Sequence, residues 1–88
     1  MDGNIHNWYE RLVLEQLSRN LKLRSEFGEE SMSDIACITL NHLPPKYVRH
    51  SVDMSFYTSP TERTEMDERI SAAISAAVEF VRKHPAKT

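Results

Sequence analysis

One cysteine and two glycines are all that 88 residues carry of those types, and each scarcity closes off a class of protein. A single thiol, Cys37, cannot make an intramolecular disulfide, so a disulfide-stapled secreted scaffold is excluded. It also falls short of a zinc-binding cysteine set, and His6, His42, His50 and His84 are scattered without ligand spacing. With glycine only at 3 and 28, there is no glycine-rich loop to cradle a phosphate. No apolar run approaches the roughly 18 residues needed to span a bilayer. The acidic start passes directly into an amphipathic pattern, with no leader-like stretch. A surplus of positive charge is missing as well. Eleven basic against 13 acidic residues give a net charge of −2, which supplies no electrostatic reason to expect nucleic-acid binding. The expectation is a soluble cytoplasmic protein with no cofactor, no metal and no membrane partner.

What is present is ordinary for a globular protein: 40% hydrophobic, 8% aromatic and 27% charged residues. This length supports one domain, 1–88, with 1–4 and 85–88 as flexible ends. A core of this size is only marginally stable, and oligomerisation is a common way for such a chain to bury more surface.

The chain is organised around residues 33–48. Ile35, Ala36, Ile38, Thr39, Leu40 and Leu43 leave little polar face beyond Asp34, Asn41 and His42, and a helix apolar nearly all round is a central, buried one. Pro44 and Pro45 cannot continue it, so it ends near Asn41 or His42 and the chain leaves extended through Lys46, Tyr47 and Val48. Ser31 or Ser33 is expected to cap its start. Cys37, on this helix, reads as a small core residue rather than a nucleophile.

Upstream, Ile5, Trp8, Tyr9, Leu12, Val13, Leu17 and Leu21 recur at three- and four-residue spacing and predict one amphipathic helix from about Ile5 to Leu23, capped by Asn4 or Asp2. Leu14 widens its stripe, and Glu15 and Arg19 form an i,i+4 pair. Residues 24–32 have no period and read as a loop. Downstream, Val48, His50, Val52, Met54 and Phe56 alternate with polar residues, the signature of a half-buried strand. No second alternating run offers it a partner, so it either pairs with the same strand of another subunit or is merely an extended segment. Ser59, Pro60 and Glu62 then spell a helix start. Met66, Ile70, Ala73, Ile74, Ala77, Val78 and Val81 continue that helix until just before Pro85. The fold class is therefore mainly α: three helices, with a short extended strand between the second and third, paired across a homodimer. Carboxylate pairs such as Glu29–Glu30 and Asp67–Glu68 are most simply solvated faces, and no catalytic set is expected.

The run Asp34-Ile35-Ala36, then Leu40-Asn41-His42-Leu43-Pro44-Pro45-Lys46-Tyr47-Val48, resembles the core of the late competence development protein ComFB family. The opening Ile5-His6-Asn7-Trp8-Tyr9-Glu10-Arg11-Leu12-Val13 is similar to that family's first helix, and Ile70 to Pro85 to its Ala- and Val/Ile-rich last helix. Some members bind zinc through cysteines just before the central helix. Here that loop, Phe27 to Met32, has neither Cys nor His. Other branches are receptors for the second messenger cyclic di-GMP, and the resemblance implies a small regulatory module of that kind, relaying the signal to a protein partner.

Such a ligand asks for an acceptor at the guanine edge, an aromatic or guanidinium to stack on, and Lys, Arg or hydroxyls for its phosphates. The candidate residues are Asn41, His42, Lys46, Tyr47, Arg49 and His50, with Lys22 and Arg24 at the end of the first helix and Asp34 at the start of the second. Each has a plainer alternative. Asn41 can cap its helix, Tyr47 can pack on the prolines, Arg49 and His50 can be strand residues, and Lys22 and Arg24 can be helix C-terminal charges. His42 stands where many relatives have arginine, and Lys46 where the cyanobacterial branch often has an apolar residue. The competing expectation is a ligand-free protein-interaction dimer, with the first-helix stripe as its docking face.

Overall fold

Asn7 opens the architecture. A computed structural model of the chain describes residues 5–49 and 58–84, and in it the Asn7 side-chain oxygen accepts from the Tyr9 amide at 3.2 Å, capping the first helix. That helix, α1, spans Trp8–Arg19 and buries Trp8, Tyr9, Leu12, Val13 and Leu17. It stops short of the predicted Leu23 because Asn20 leaves helical geometry, with φ −86° and ψ 85°. Asn20 also caps the next helix, its side-chain oxygen accepting from the Leu23 amide at 3.0 Å. One residue thus ends α1 and starts α2, Leu21–Glu26. The expected single helix is two helices, because an asparagine inside an apolar period can bond the backbone ahead of it instead of continuing the turn. Glu15 pairs with Arg11 at 3.1 Å rather than with Arg19.

The central helix, α3, spans Glu29–Asn41, so most of the expected loop is helical. Gly28 is its N-cap and offers no side chain for the purpose; neither Ser31 nor Ser33 has that role. Instead the Gly28 carbonyl accepts from the Met32 amide at 2.9 Å, and Glu29 and Glu30 place negative charge in the first turn, where the helix dipole favours it. The helix closes at His42, as the double proline requires. It is less enclosed than expected. Ile35, Ala36 and Thr39 are buried, Ile38 and Leu40 are half-buried, and Cys37 is exposed.

The last helix, α4, spans Pro60–Lys83 and follows its sequence signal closely. Ser59 accepts from the Glu62 amide at 3.1 Å, and Met66, Ile70, Ile74, Ala77, Val78 and Val81 are buried, with Ala73 half-buried. α3 packs against both α4 and α1. Val13, Ile35 and Ile70 reach 0% exposure at the centre of the core, where each contributes about 1.5–3 kcal/mol by leaving water. A bidentate ion pair clasps the far end: Arg82 donates from Nε and Nη2 to the two Glu26 carboxylate oxygens, both at 2.8 Å.

The extended segment has a partner within the chain, contrary to the sequence reading. β1, His6–Asn7, and β2, Tyr47–Val48, run antiparallel, with His6 opposite Val48 and Asn7 opposite Tyr47. Two-residue strands are too short for an alternation signal, which is why β1 was invisible. The rest of the expected strand, from His50 to Phe56, lies outside the described residues.

Candidate functional site

The site is built where α3 ends and the chain turns back over the start of α1. Leu43 is buried and anchors the turn, Pro44 and Pro45 hold the next residues extended, and Lys46 is fixed by its backbone alone. Its amide donates to the Asn7 side-chain oxygen at 3.0 Å, and its carbonyl accepts from the Trp8 amide at 2.7 Å. The Asn7 oxygen therefore serves two amides, its own helix's cap and a residue 39 positions away. That double duty explains an asparagine at this position better than capping alone.

Held in this way, Tyr47 projects outward and is 68% exposed. It borders a groove of about 590 Å³ whose other walls include Ile5, Glu10, Leu40, Asn41 and Pro45. This volume lies within the range of small-molecule sites, about 300–1,000 Å³. Among the described residues the lining contains an aromatic face, two amides, an imidazole and a carboxylate, but neither lysine nor arginine. A second groove, of about 560 Å³, shares His6, Asn7 and Glu10 with the first and continues along α1 past Arg11 and Leu14 to Ser18.

The other sequence candidates fall around this groove or away from it. Lys46 turns to a neighbouring cleft of about 290 Å³, with Tyr9, the two prolines, Glu62, Glu65 and Arg69. His42 folds back on its own helix, its Nδ1 lying 2.8 Å from the Ile38 carbonyl, so that the protonated nitrogen donates to a helix-end acceptor. Arg49 is exposed just beyond β2. Asp34 is exposed on α3, seven residues and hence about 10 Å before Asn41. Lys22 and Arg24 sit on α2, beyond the far end of α1, a helix about 18 Å long at its 12 residues. Arg24 there donates to the Ser18 carbonyl at 3.2 Å. His50 lies outside the described residues. Of the sequence candidates, Asn41 and Tyr47 share one groove, Lys46 and Arg49 adjoin it along the chain, and Lys22, Arg24 and Asp34 stand apart within one subunit.

Asn7 and Glu10 also line this groove and were not among the sequence candidates, because both lay inside the predicted first helix. The available signal was their shared spacing, Asn-x-x-Glu at the head of α1. Elsewhere, the Arg82 guanidinium hydrogen-bonds Glu26 and holds its carboxyl below the ordinary 4.5. That contact lies between α2 and α4, away from the groove. Among the described residues no three His, Cys, Asp or Glu side chains gather closely enough to hold a metal ion, and no helix is long and apolar enough to cross a membrane.

The family model described as late competence development protein ComFB matches residues 6–85 of this chain. No curated protein and no solved structure matches it.

Proposed function

The chain belongs to the late competence development protein ComFB family, and on that premise we propose that it is a small non-catalytic regulatory module that binds cyclic di-GMP and relays the signal to a protein partner. The observation that carries this reading is the pairing of Tyr47 and Asn41 across one groove, with the tyrosine face held open by backbone bonds at Lys46. An exposed, pre-positioned aromatic is what a purine base stacks on, at about 1–3 kcal/mol per base. Lys46 and Arg49 flank Tyr47 in the chain and supply positive charge for the phosphodiesters. Lys22, Arg24 and Asp34 stand away from this groove within one subunit, and in this reading the module is a homodimer whose second subunit brings them to it.

Isothermal titration with cyclic di-GMP tests the reading, with cyclic di-AMP and GTP as controls. Saturable binding at one ligand per subunit or per dimer is expected, weakened at least tenfold in Tyr47→Ala. No heat at micromolar protein would sink it.

A second reading is favoured by the groove along α1, where Leu14 is 52% exposed beside Arg11 and Glu15. The rest of the first-helix stripe, Trp8, Tyr9, Leu12, Val13 and Leu17, is buried in the subunit's own core, so the docking face of a ligand-free interaction module is reduced from the expected stripe to its edge at Leu14. Thermal stability separates the two, because a ligand that binds only the folded state raises the melting temperature and an interaction module is indifferent to the nucleotide.

A further inference from the structure

Among the described residues Glu10 is the one groove-lining side chain whose charge is at odds with an anionic ligand, and its position gives it a use. It stands third in α1 after the Asn7 cap, where a glutamate ordinarily reaches back to the cap residue's own amide. Here it makes no such bond, and among the described residues it has no hydrogen-bond or ion-pair partner. The neighbouring cation is engaged elsewhere, Arg11 being paired with Glu15 at 3.1 Å. An exposed, unengaged carboxylate therefore faces the same space as Tyr47 and Asn41, in a groove lined, among the described residues, by no lysine or arginine. Such a groove repels phosphate and attracts N–H donors.

We infer that Glu10 reads the base: its carboxylate accepts from the Watson–Crick edge of a guanine stacked on Tyr47. The inference rests on the cyclic di-GMP reading and deepens it by dividing the ligand, with a base in the groove and the phosphodiesters outside it, toward Lys46 and Arg49. Guanine presents two adjacent donors, N1–H and the exocyclic amine, which the two oxygens of a carboxylate accept side by side. Adenine presents a donor beside an acceptor, which a carboxylate leaves half unmet. Glu10 is thus a specificity-determining residue, and Asn41 is placed to complete the polar edge.

Glu10→Gln keeps the size of the side chain and exchanges one acceptor for a donor, matching adenine's edge rather than guanine's. Wild type and Glu10→Gln are titrated with cyclic di-GMP and cyclic di-AMP, with melting curves as a check on folding. The expected result is a loss of cyclic di-GMP affinity of about tenfold to a hundredfold, the range of a bidentate base contact. The preference over cyclic di-AMP should narrow or invert while melting stays as in wild type. If wild type binds cyclic di-GMP and Glu10→Gln binds it equally well, the role of Glu10 is overturned and the receptor reading stands. If wild type binds neither dinucleotide, the receptor reading fails, and amide chemical shifts with GMP and AMP judge the base contact by itself. Shifts at Glu10, Asn41 and Tyr47 with GMP alone would support it, and equal or absent shifts would overturn it.

Discussion

Replacing Thr39 by valine should stabilise this protein, an unusual direction for a change at the centre of a core. Thr39 is 0% exposed on α3, and its hydroxyl oxygen has no hydrogen-bond partner. A buried hydroxyl left without a partner costs about 1–3 kcal/mol relative to its hydration in the unfolded chain. Valine puts a methyl in the same place, keeps the β-branched shape and has a similar helix propensity. The new methyl will not pack ideally on every side, so a net gain of about 1–2 kcal/mol is expected. For an 88-residue two-state domain, each kcal/mol moves the melting temperature by about 5 °C. The variant should therefore melt about 5–10 °C higher by circular dichroism, with an unchanged urea m-value. Thr39→Ser is the control: it keeps the hydroxyl, loses a methyl and should be less stable by about 1 kcal/mol. An unchanged or lower melting temperature in Thr39→Val would refute the reasoning and mean that the hydroxyl is satisfied in solution, most simply by the Ile35 carbonyl one turn back. Asn41 lies about 200° further round the helix, so ligand binding at the groove should be the same in both variants.

Two further changes probe how the site and the far clasp are held. Asn7→Ala removes a cap worth about 1 kcal/mol and also the acceptor of the Lys46 amide. Hydrogen exchange at Lys46 should accelerate, whereas Asn7→Ser, long enough to cap but too short to bridge, should lose protection at Lys46 while keeping most of the stability. Equal exchange at Lys46 in wild type and both variants would show that the bridge does not hold the strand. At the other end, the Arg82 hydrogen bond lowers the pKa of Glu26 below 4.5. A carboxyl whose folded value is depressed contributes stability above its unfolded value, and loses it as pH falls through the folded value. The stability gap between wild type and Arg82→Gln should therefore shrink as pH drops below 4.5, and shrink further in salt because both side chains are partly exposed. A gap independent of pH would count against the clasp.

Much of the fold was legible where one residue's chemistry decides the matter locally. Ser59 and Pro60 can hardly begin anything but a helix, Pro44 and Pro45 can hardly fail to end one, and the buried face of α4 follows from its spacing. The errors lie where two local options were nearly equal. Asn20 interrupts a period that reads as continuous, and Gly28 starts a helix without the side-chain cap that marks one. Cys37 sits among apolar neighbours in sequence yet faces outward, because on a helix adjacent residues differ by about 100° and composition does not say which side meets the core.

By itself, then, the sequence determined the helical class, the stop at the double proline and the family, since apolar periodicity, the fixed φ of proline and a short motif are all written in local order. Tertiary structure alone decided the site. The bond from the Lys46 amide to Asn7 spans 39 residues, the pairing of β2 with two residues before α1 carries no periodic signal, and the meeting of Glu10, Asn41 and Tyr47 in one groove follows from how α1 and α3 pack. Such long-range contacts are chosen by burial and hydrogen-bond satisfaction over the whole chain, and no local pattern encodes them.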